Sequence, residues 1–358
     1  MPNWPDTRLV DLLGLRHPII QAPMAGASNP SLAAAVSNAG GLGSEGLGEA
    51  TPQRVAEAIE AIRARTNAAF NINLFVNPGA PPLVGHKLRA WRDALMPHYR
   101  AAGLGDVPAA DRGAPVTPSA EMIEVLLQLR PPVVSFHFGL PEAAIVARLK
   151  AAGTIIISTA TTVAEAIALE AGGVDGIIAQ GWEAGGHRGS HRPTKPGDGV
   201  GALALVPQVV DAVRVPVIAA GGICDGRGIA AAMALGAAGV QLGTAFLRCP
   251  EASTEPAHRA LLETATEIDT MVTDAISGRA ARAVRSAFTE AMTGRDVAKP
   301  AFPALYDFTW PLVETGEASF HLYGQAAPLA RTLPAAELVE TLAQEALERM
   351  GALSGRRG

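Results

Sequence analysis

Cysteine is scarce in this chain. Two cysteines in 358 residues, Cys224 and Cys249, leave no disulfide framework and no cysteine-ligated metal cluster, and they suit a reducing compartment. Aromatic residues make up 4% and charged residues 18%, and no stretch interleaves lysine or arginine with aromatics, which argues against a nucleic-acid partner. The net charge of −5 is compatible with a neutral or anionic small molecule, because a local site can differ from the overall balance. The opening residues carry Asp6, Arg8 and Asp11 and so lack the apolar core of a signal peptide, and a cytoplasmic location is expected. Residues 228–247 are uncharged and long enough to cross a membrane. Gly236 and Gly239 divide that run into a helix, a turn and a strand, and Gln241 would be costly in lipid, so no membrane association is expected.

Glycine, by contrast, is abundant at 38 residues, and 48% of the chain is hydrophobic, the composition of a globular enzyme with a large aliphatic core. Apolar runs bounded by glycine or proline predict eight strands, at 17–26, 40–46, 70–76, 133–139, 154–160, 174–181, 215–223 and 239–247. Helix-like stretches separate them, several opening on Asn, Thr or Ser and closing on glycine. Strands apolar throughout must be covered on both faces, as in a parallel sheet with helical crossovers. Eight such units in about 250 residues predict an α/β fold, a closed (β/α)8 TIM barrel, with an open doubly wound sheet as the alternative. Residues 77–118 form a Pro/Gly-rich insertion after the third strand, with a helical piece near 86–102, lying over the barrel mouth or beside it. The expected division is a barrel over 1–250 and a C-terminal helical segment, 251–358, packed on it.

In such a barrel the loops at the carboxyl ends of the strands form the active site. After the first strand come Ala22, Pro23 and Met24; Asn71 and Asn73 lie in the third; Gln180 ends the sixth; Ala220, Gly221 and Gly222 follow the seventh; Gly243 and Thr244 lie in the eighth. Glycines after strands seven and eight suit a phosphate, because main-chain N–H groups can point at the anion, and the helix opening at "DGRG" would add its positive end. Each glycine alone is equally a turn residue. Asn73 and Gln180, polar groups in apolar strands, are either satisfied core amides or partners for the polar edge of a flat ring such as flavin.

The segment "GWEAGGHRGSH" (181–191) follows the sixth strand. His187 sits directly after Gly185 and Gly186, at the barrel mouth, which favours a general acid or base over a structural histidine. Glu183 either orients it or pairs with Arg188. His191 is four residues on, but Gly189 and Pro193 break the helix that a metal pair would need, so no metal site is expected. His137, also at a strand end, is a weaker candidate for substrate contact, and Cys224 reads as a small buried residue.

Taken in order, "HPIIQAPMAG", "GGLG", "FNINLFV", "VVSFHFGLP", "GIIAQGWEAGGHRG", "VPVIAAGGI", "VQLGTAFL" and "YGQAAPLAR" resemble the nitronate monooxygenase family, over about residues 10–331. The resemblance implies an FMN-dependent barrel enzyme that oxidises alkyl nitronates, with nitroalkanes as further substrates, using O2 to give a carbonyl compound and nitrite. It makes His187 the catalytic residue. It assigns FMN contacts to Ala22, Pro23, Met24, Asn73, Gln180, Gly185, Gly186, Ala220, Gly221, Gly222, Gly243 and Thr244, with Tyr323 and Gln325 near the flavin. NADH:quinone reductases and flavin-dependent enoyl-acyl-carrier-protein reductases share this scaffold and remain alternatives, as does a flavin-binding protein without catalysis. The expected partners are a small-molecule nitronate and O2, with the oligomeric state left open between monomer and homodimer.

Overall fold

The computed structural model describes residues 2–111, 113 and 116–355. Residues 112, 114 and 115 of the insertion and 356–358 of the C-terminal segment lie outside the described residues. The strands are β1 (Ile19–Gln21), β2 (Gly43–Gly46), β3 (Phe70–Phe75), β4 (Val133–His137), β5 (Ile155–Ala160), β6 (Gly176–Gln180), β7 (Gly186–His187), β8 (Val217–Ala220), β9 (Gly239–Leu242), β10 (Thr270–Thr273) and β11 (Ala281–Val284). Eight of them, in the order β1-β9-β8-β6-β5-β4-β3-β2, form one parallel sheet, and each lies inside a run that the sequence marked as a strand. A bridge between Ile20 and Leu42 joins the two ends, with Leu42 N–H donating to Ile19 O and Gln21 N–H to Leu42 O, both at 2.9 Å. That pairing makes the sheet a barrel and overturns the open-sheet alternative.

Side chains alternate across each strand, so residues two apart share the barrel interior. Ile20, Leu42, Val133, Ile157, Ile178 and Ile218 fill one cluster with Leu9, Val10 and Leu13 of the helix Arg8–Leu13. Two residues further along, the same series reads Ser135, Thr159, Gln180 and Ala220, so the interior turns polar toward the carboxyl ends. A separate aliphatic cluster fills the space between the strands and the outer helices.

The last helix, Ala335–Leu353, packs against the helices Gly226–Ala234 and Pro30–Asn38. It thus stands between the partners of the seventh and first barrel strands, where a barrel's eighth helix belongs. Gly226 is there because Glu345 and Ala346 come so close that a Cβ would lie 2.3 Å from Glu345 Cβ. Between β9 and this helix the chain makes a long excursion. It carries, besides helices, the hairpin β10–β11, and β11 also pairs antiparallel with β7. The excursion and the 77–118 insertion share a second core: Leu88, Trp91, Leu95 and Tyr99 of the helix Gly85–Ala101 pack with Ile276, Phe288, Leu305, Phe308 and Leu312.

If the final helix is part of the barrel, Leu342→Ala, at a position with no exposure, should cost about 3 kcal/mol. Urea unfolding followed by fluorescence and circular dichroism should then show one coincident transition shifted as a whole. A separate early transition would mark the helix as an independent appendage.

Candidate active site

His187 lies in β7, which exists only because Ala281 and Arg282 of β11 pair with His187 and Gly186. The half-buried imidazole is walled edge-on by Phe75, Phe138, Phe302 and Phe320, with ring centroids 5.3–6.4 Å away. Its Nε2 lies 2.9 Å from Ser277 Oγ in the turn between β10 and β11. Burial, helped by the charges of His137 and Arg279, pushes the imidazole down to about 3, so it is neutral at physiological pH.

Three buried arginines hold the loop that carries it. Arg188 donates to the carbonyls of Gly181 and Gln180 and lies 5.2 Å over the Trp182 ring. Arg279 donates to Asn77 Oδ1 and to Ser190 O, and stacks 4.0 Å over Phe138. Arg282 donates to Trp182 O and to Thr270 Oγ1. None of the three forms an ion pair with a carboxylate among the described residues. Burial lowers the first two to about 10, which leaves them charged. Glu165 and Glu183 act on them only from beyond ion-pair distance, so the arginines bring positive charge to the site that suits an anion. Phe138, beneath Arg279, adopts φ +75°, a left-handed backbone that a bulky residue rarely takes and that commonly accompanies functional sites.

The amides take mainly structural duties. Gln180 donates from Nε2 to His187 O at 3.0 Å and accepts at Oε1 from Gly189 N–H at 2.8 Å, clamping the loop, with one N–H and one lone pair to spare. Asn73 donates to Ser135, as does Asn71. His137 donates from Nε2 to His187 O at 3.2 Å, because a carbonyl can only accept, and its Nδ1 meets Thr159 Oγ1 at 3.1 Å. Both ring nitrogens are thus engaged in positioning, not offered to a substrate. Glu183 makes no hydrogen bond to His187 and no ion pair with Arg188, whose charge it supports only at longer range; its carboxylate accepts the Ala202 N–H and caps the helix Ala202–Ala212. Cys224 is buried, with its thiol pushed up to about 12, and is no nucleophile.

The glycine turns pack closely against neighbouring loops at the carboxyl ends of the strands. The turn of Ala22, Pro23 and Met24 meets the eighth barrel strand at Gly243, where a Cβ would sit 3.5 Å from Ala22 Cβ and 3.7 Å from Met24 Sδ. Ala220 is in register with both Gln180 and Gln241. Gly221 abuts Ala184; Gly222, at φ +72°, abuts Glu183. Gly185 must be glycine because a Cβ would lie 2.5 Å from the Tyr323 carbonyl carbon, whereas at Gly186, at φ +77°, a Cβ would meet only Leu322 Cδ1 at 4.0 Å. Gly324 donates to Thr244 Oγ1 at 2.9 Å and Gln325 N–H to Glu183 O at 3.0 Å. The Tyr323 ring, however, turns into the C-terminal segment, stacking on His258 and lining a cavity of about 440 Å³ with Leu261, Ile268 and Arg285. A second cavity, about 420 Å³, lies at the carboxyl ends of β1 and β2 and is lined by Gly26, Gly46, Glu49 and Arg54.

The N–H groups of Gly222, Gly243 and Thr244 donate to no protein acceptor among the described residues. Free main-chain donors at two adjacent βα turns are what a phosphate needs. The helix end at "DGRG" is not part of that cradle, since Asp225 accepts from Arg227 and Gly228, and Glu345 from Gly226. No local pattern marks Ser277, Arg279, Phe302 or Phe320, which lie 90 or more residues from His187 in sequence and reach it only through the fold.

A family model described as nitronate monooxygenase matches residues 6–345. The chain belongs to the nitronate monooxygenase family. A nitronate monooxygenase of Paraburkholderia phytofirmans is 45% identical over 94% of both chains. One of Pseudomonas aeruginosa is 43% identical over 94% of this chain and 98% of its own. Among solved structures, a nitroalkane oxidase from Streptomyces ansochromogenes is 39% identical, with a TM-score of 0.86 over 97% of this chain and 99% of that one. FabK from Thermotoga maritima is more distant, 31% identical with a TM-score of 0.73 over 98% and 99%. Membership of the nitronate monooxygenase family makes this chain an oxidoreductase. No described helix is long and apolar enough to cross a membrane.

In this family member, burial depresses five imidazoles, His137 to about 4, His187 to about 3 and His258 to about 4, with His17 and His321 lowered as well. Below pH 6.5 the unfolded chain takes up protons on these groups while the native state does not, so stability should fall as pH drops from about 6.5 toward 4. Urea midpoints measured across that range check the sign; a midpoint rising with acidification would contradict it.

Proposed function

We propose that the protein oxidises alkyl nitronates with O2 to a carbonyl compound and nitrite, using FMN. The observation that carries this reading is the pairing of two features at one barrel mouth. One is the set of free N–H donors at Gly222, Gly243 and Thr244; the other is a neutral His187 flanked by buried arginines that lack carboxylate partners. Those donors fit a phosphate, and the spare valences of Gln180, with the turn of Ala22, Pro23 and Met24 beside Gly243, fit the edge of a flavin. Held there, FMN would supply the redox chemistry between the nitronate and O2. The protein's own residues supply position and polarity.

The charge on Arg279 and Arg188 favours a nitronate, which is an anion, over its neutral nitroalkane. His187, held near 3 by its surroundings, is a weak proton acceptor, and a general base works best with a pKa near the working pH. A substrate that arrives already deprotonated avoids that demand. For a nitroalkane, His187 is the base that removes the α-proton. The phenylalanines around it exclude water and receive the alkyl group.

Purified protein should be yellow, with a flavin spectrum, and should be bleached anaerobically by propyl-1-nitronate. Bleaching by NADH and not by nitronate would instead support a quinone or enoyl reductase. His187→Asn should keep its flavin and lose nitroalkane turnover by about a hundredfold or more, with nitronate oxidation less affected. Loss of flavin in that variant would make the histidine structural.

A further inference from the structure

We propose that Ser277 is a positioning residue that fixes which nitrogen of His187 carries the ring proton, leaving Nδ1 as the one ring atom able to exchange a proton with a bound substrate. The consequence for turnover rests on the function proposed above; the tautomer does not.

Ser277 is 1% exposed and has one hydroxyl proton to place. Two candidates compete for it: Arg279 O at 3.1 Å and His187 Nε2 at 2.9 Å. Arg279 O has no other donor among the described residues, and Arg279 is buried. A carbonyl can only accept, and a buried carbonyl left unpaired is costly, so the hydroxyl proton belongs to Arg279 O. The serine oxygen then presents lone pairs to His187, and Nε2 must carry the hydrogen.

Other groups around the ring are consistent with this assignment. Arg279 from the β10–β11 turn and His137 from β4 are the charged or titratable neighbours, and both disfavour a second ring proton. Phe75, Phe138, Phe302 and Phe320 complete the wall and offer no acceptor. Nδ1 has no hydrogen-bond partner among the described residues.

The turn that carries Ser277 is rigidly seated. Gly278 lies so close to the 300–302 segment that a Cβ would be 2.7 Å from Phe302 N, and Asp274 pairs with Lys299 at 2.7 Å. A base oriented by a third group is the general logic of hydrogen-bonded catalytic constellations. Here the orienting group is a serine from a hairpin 90 residues downstream.

The test uses flavin-loaded protein labelled with 15N-histidine. Long-range proton–nitrogen spectra, with His187→Asn for assignment, read the tautomer directly. Wild-type protein and Ser277→Thr should show a pyridine-type Nδ1 and a protonated Nε2, while Ser277→Ala should show averaging between tautomers. The ratio of kcat/KM for 1-nitropropane to that for propyl-1-nitronate should fall about tenfold in Ser277→Ala and recover in Ser277→Thr. A proton on Nδ1 in the wild type, or unchanged His187 signals in Ser277→Ala, would overturn the proposal. If the spectra behave as stated but His187→Asn still turns over nitroalkanes, the functional reading fails and the tautomer assignment stands.

Discussion

Two residues of main-chain pairing hold this site together. Gly186 and His187 leave the barrel after β6 with no strand of their own to join, and they acquire one from β11. Without that antiparallel contact the "GWEAGGHRG" loop would be a glycine-rich excursion, free to sample many conformations at a large entropic cost to any ordered site. With it, the imidazole acquires a fixed direction, a serine at one nitrogen and a wall of aromatic edges. Three buried arginines, donating to the carbonyls of the same loop, complete the clamp.

The arginines do two jobs with one set of contacts. Each satisfies backbone carbonyls that would otherwise be buried without donors, which is a structural requirement. Because no carboxylate pairs with them, their charge remains available to the site. That charge helps keep His187 and His137 unprotonated and favours anions at the barrel mouth. The nearest acid along the chain, Glu183, caps a helix and, from beyond ion-pair distance, favours the charged form of Arg188 and Arg282.

Barrel and cap are also topologically interlocked. The eighth barrel strand does not run straight into its helix: the chain first builds the hairpin and the segments that carry Ser277, Arg279, Phe302 and Phe320, then returns to lay Ala335–Leu353 against the first and seventh helices. The 77–118 insertion buries Trp91 and Leu95 in that same cap. One core therefore stabilises the barrel and a second stabilises what covers it, and the candidate site around His187 lies where they meet.

The sequence alone determined the eight strands of a parallel α/β sheet, because strand and helix periodicity and turn glycines are local properties written at fixed spacing, while only the pairing of Ile20 with Leu42 decided that the sheet closes. It also marked His187 and His137 as the histidines at strand ends. Local pattern could not decide what Glu183 does, since a carboxylate three residues from a strand end can reach a helix, a histidine or an arginine, and only the packing selects one. Gln180 and His137 were visible as polar groups in apolar strands, yet whether they meet a ligand or the His187 carbonyl depends on how the loop folds back. Ser277 and Arg279 carry no local mark at all. Their role arises from a hairpin that crosses the barrel mouth, and hydrogen bonds between residues 90 apart are set by tertiary geometry, which no spacing along the chain encodes.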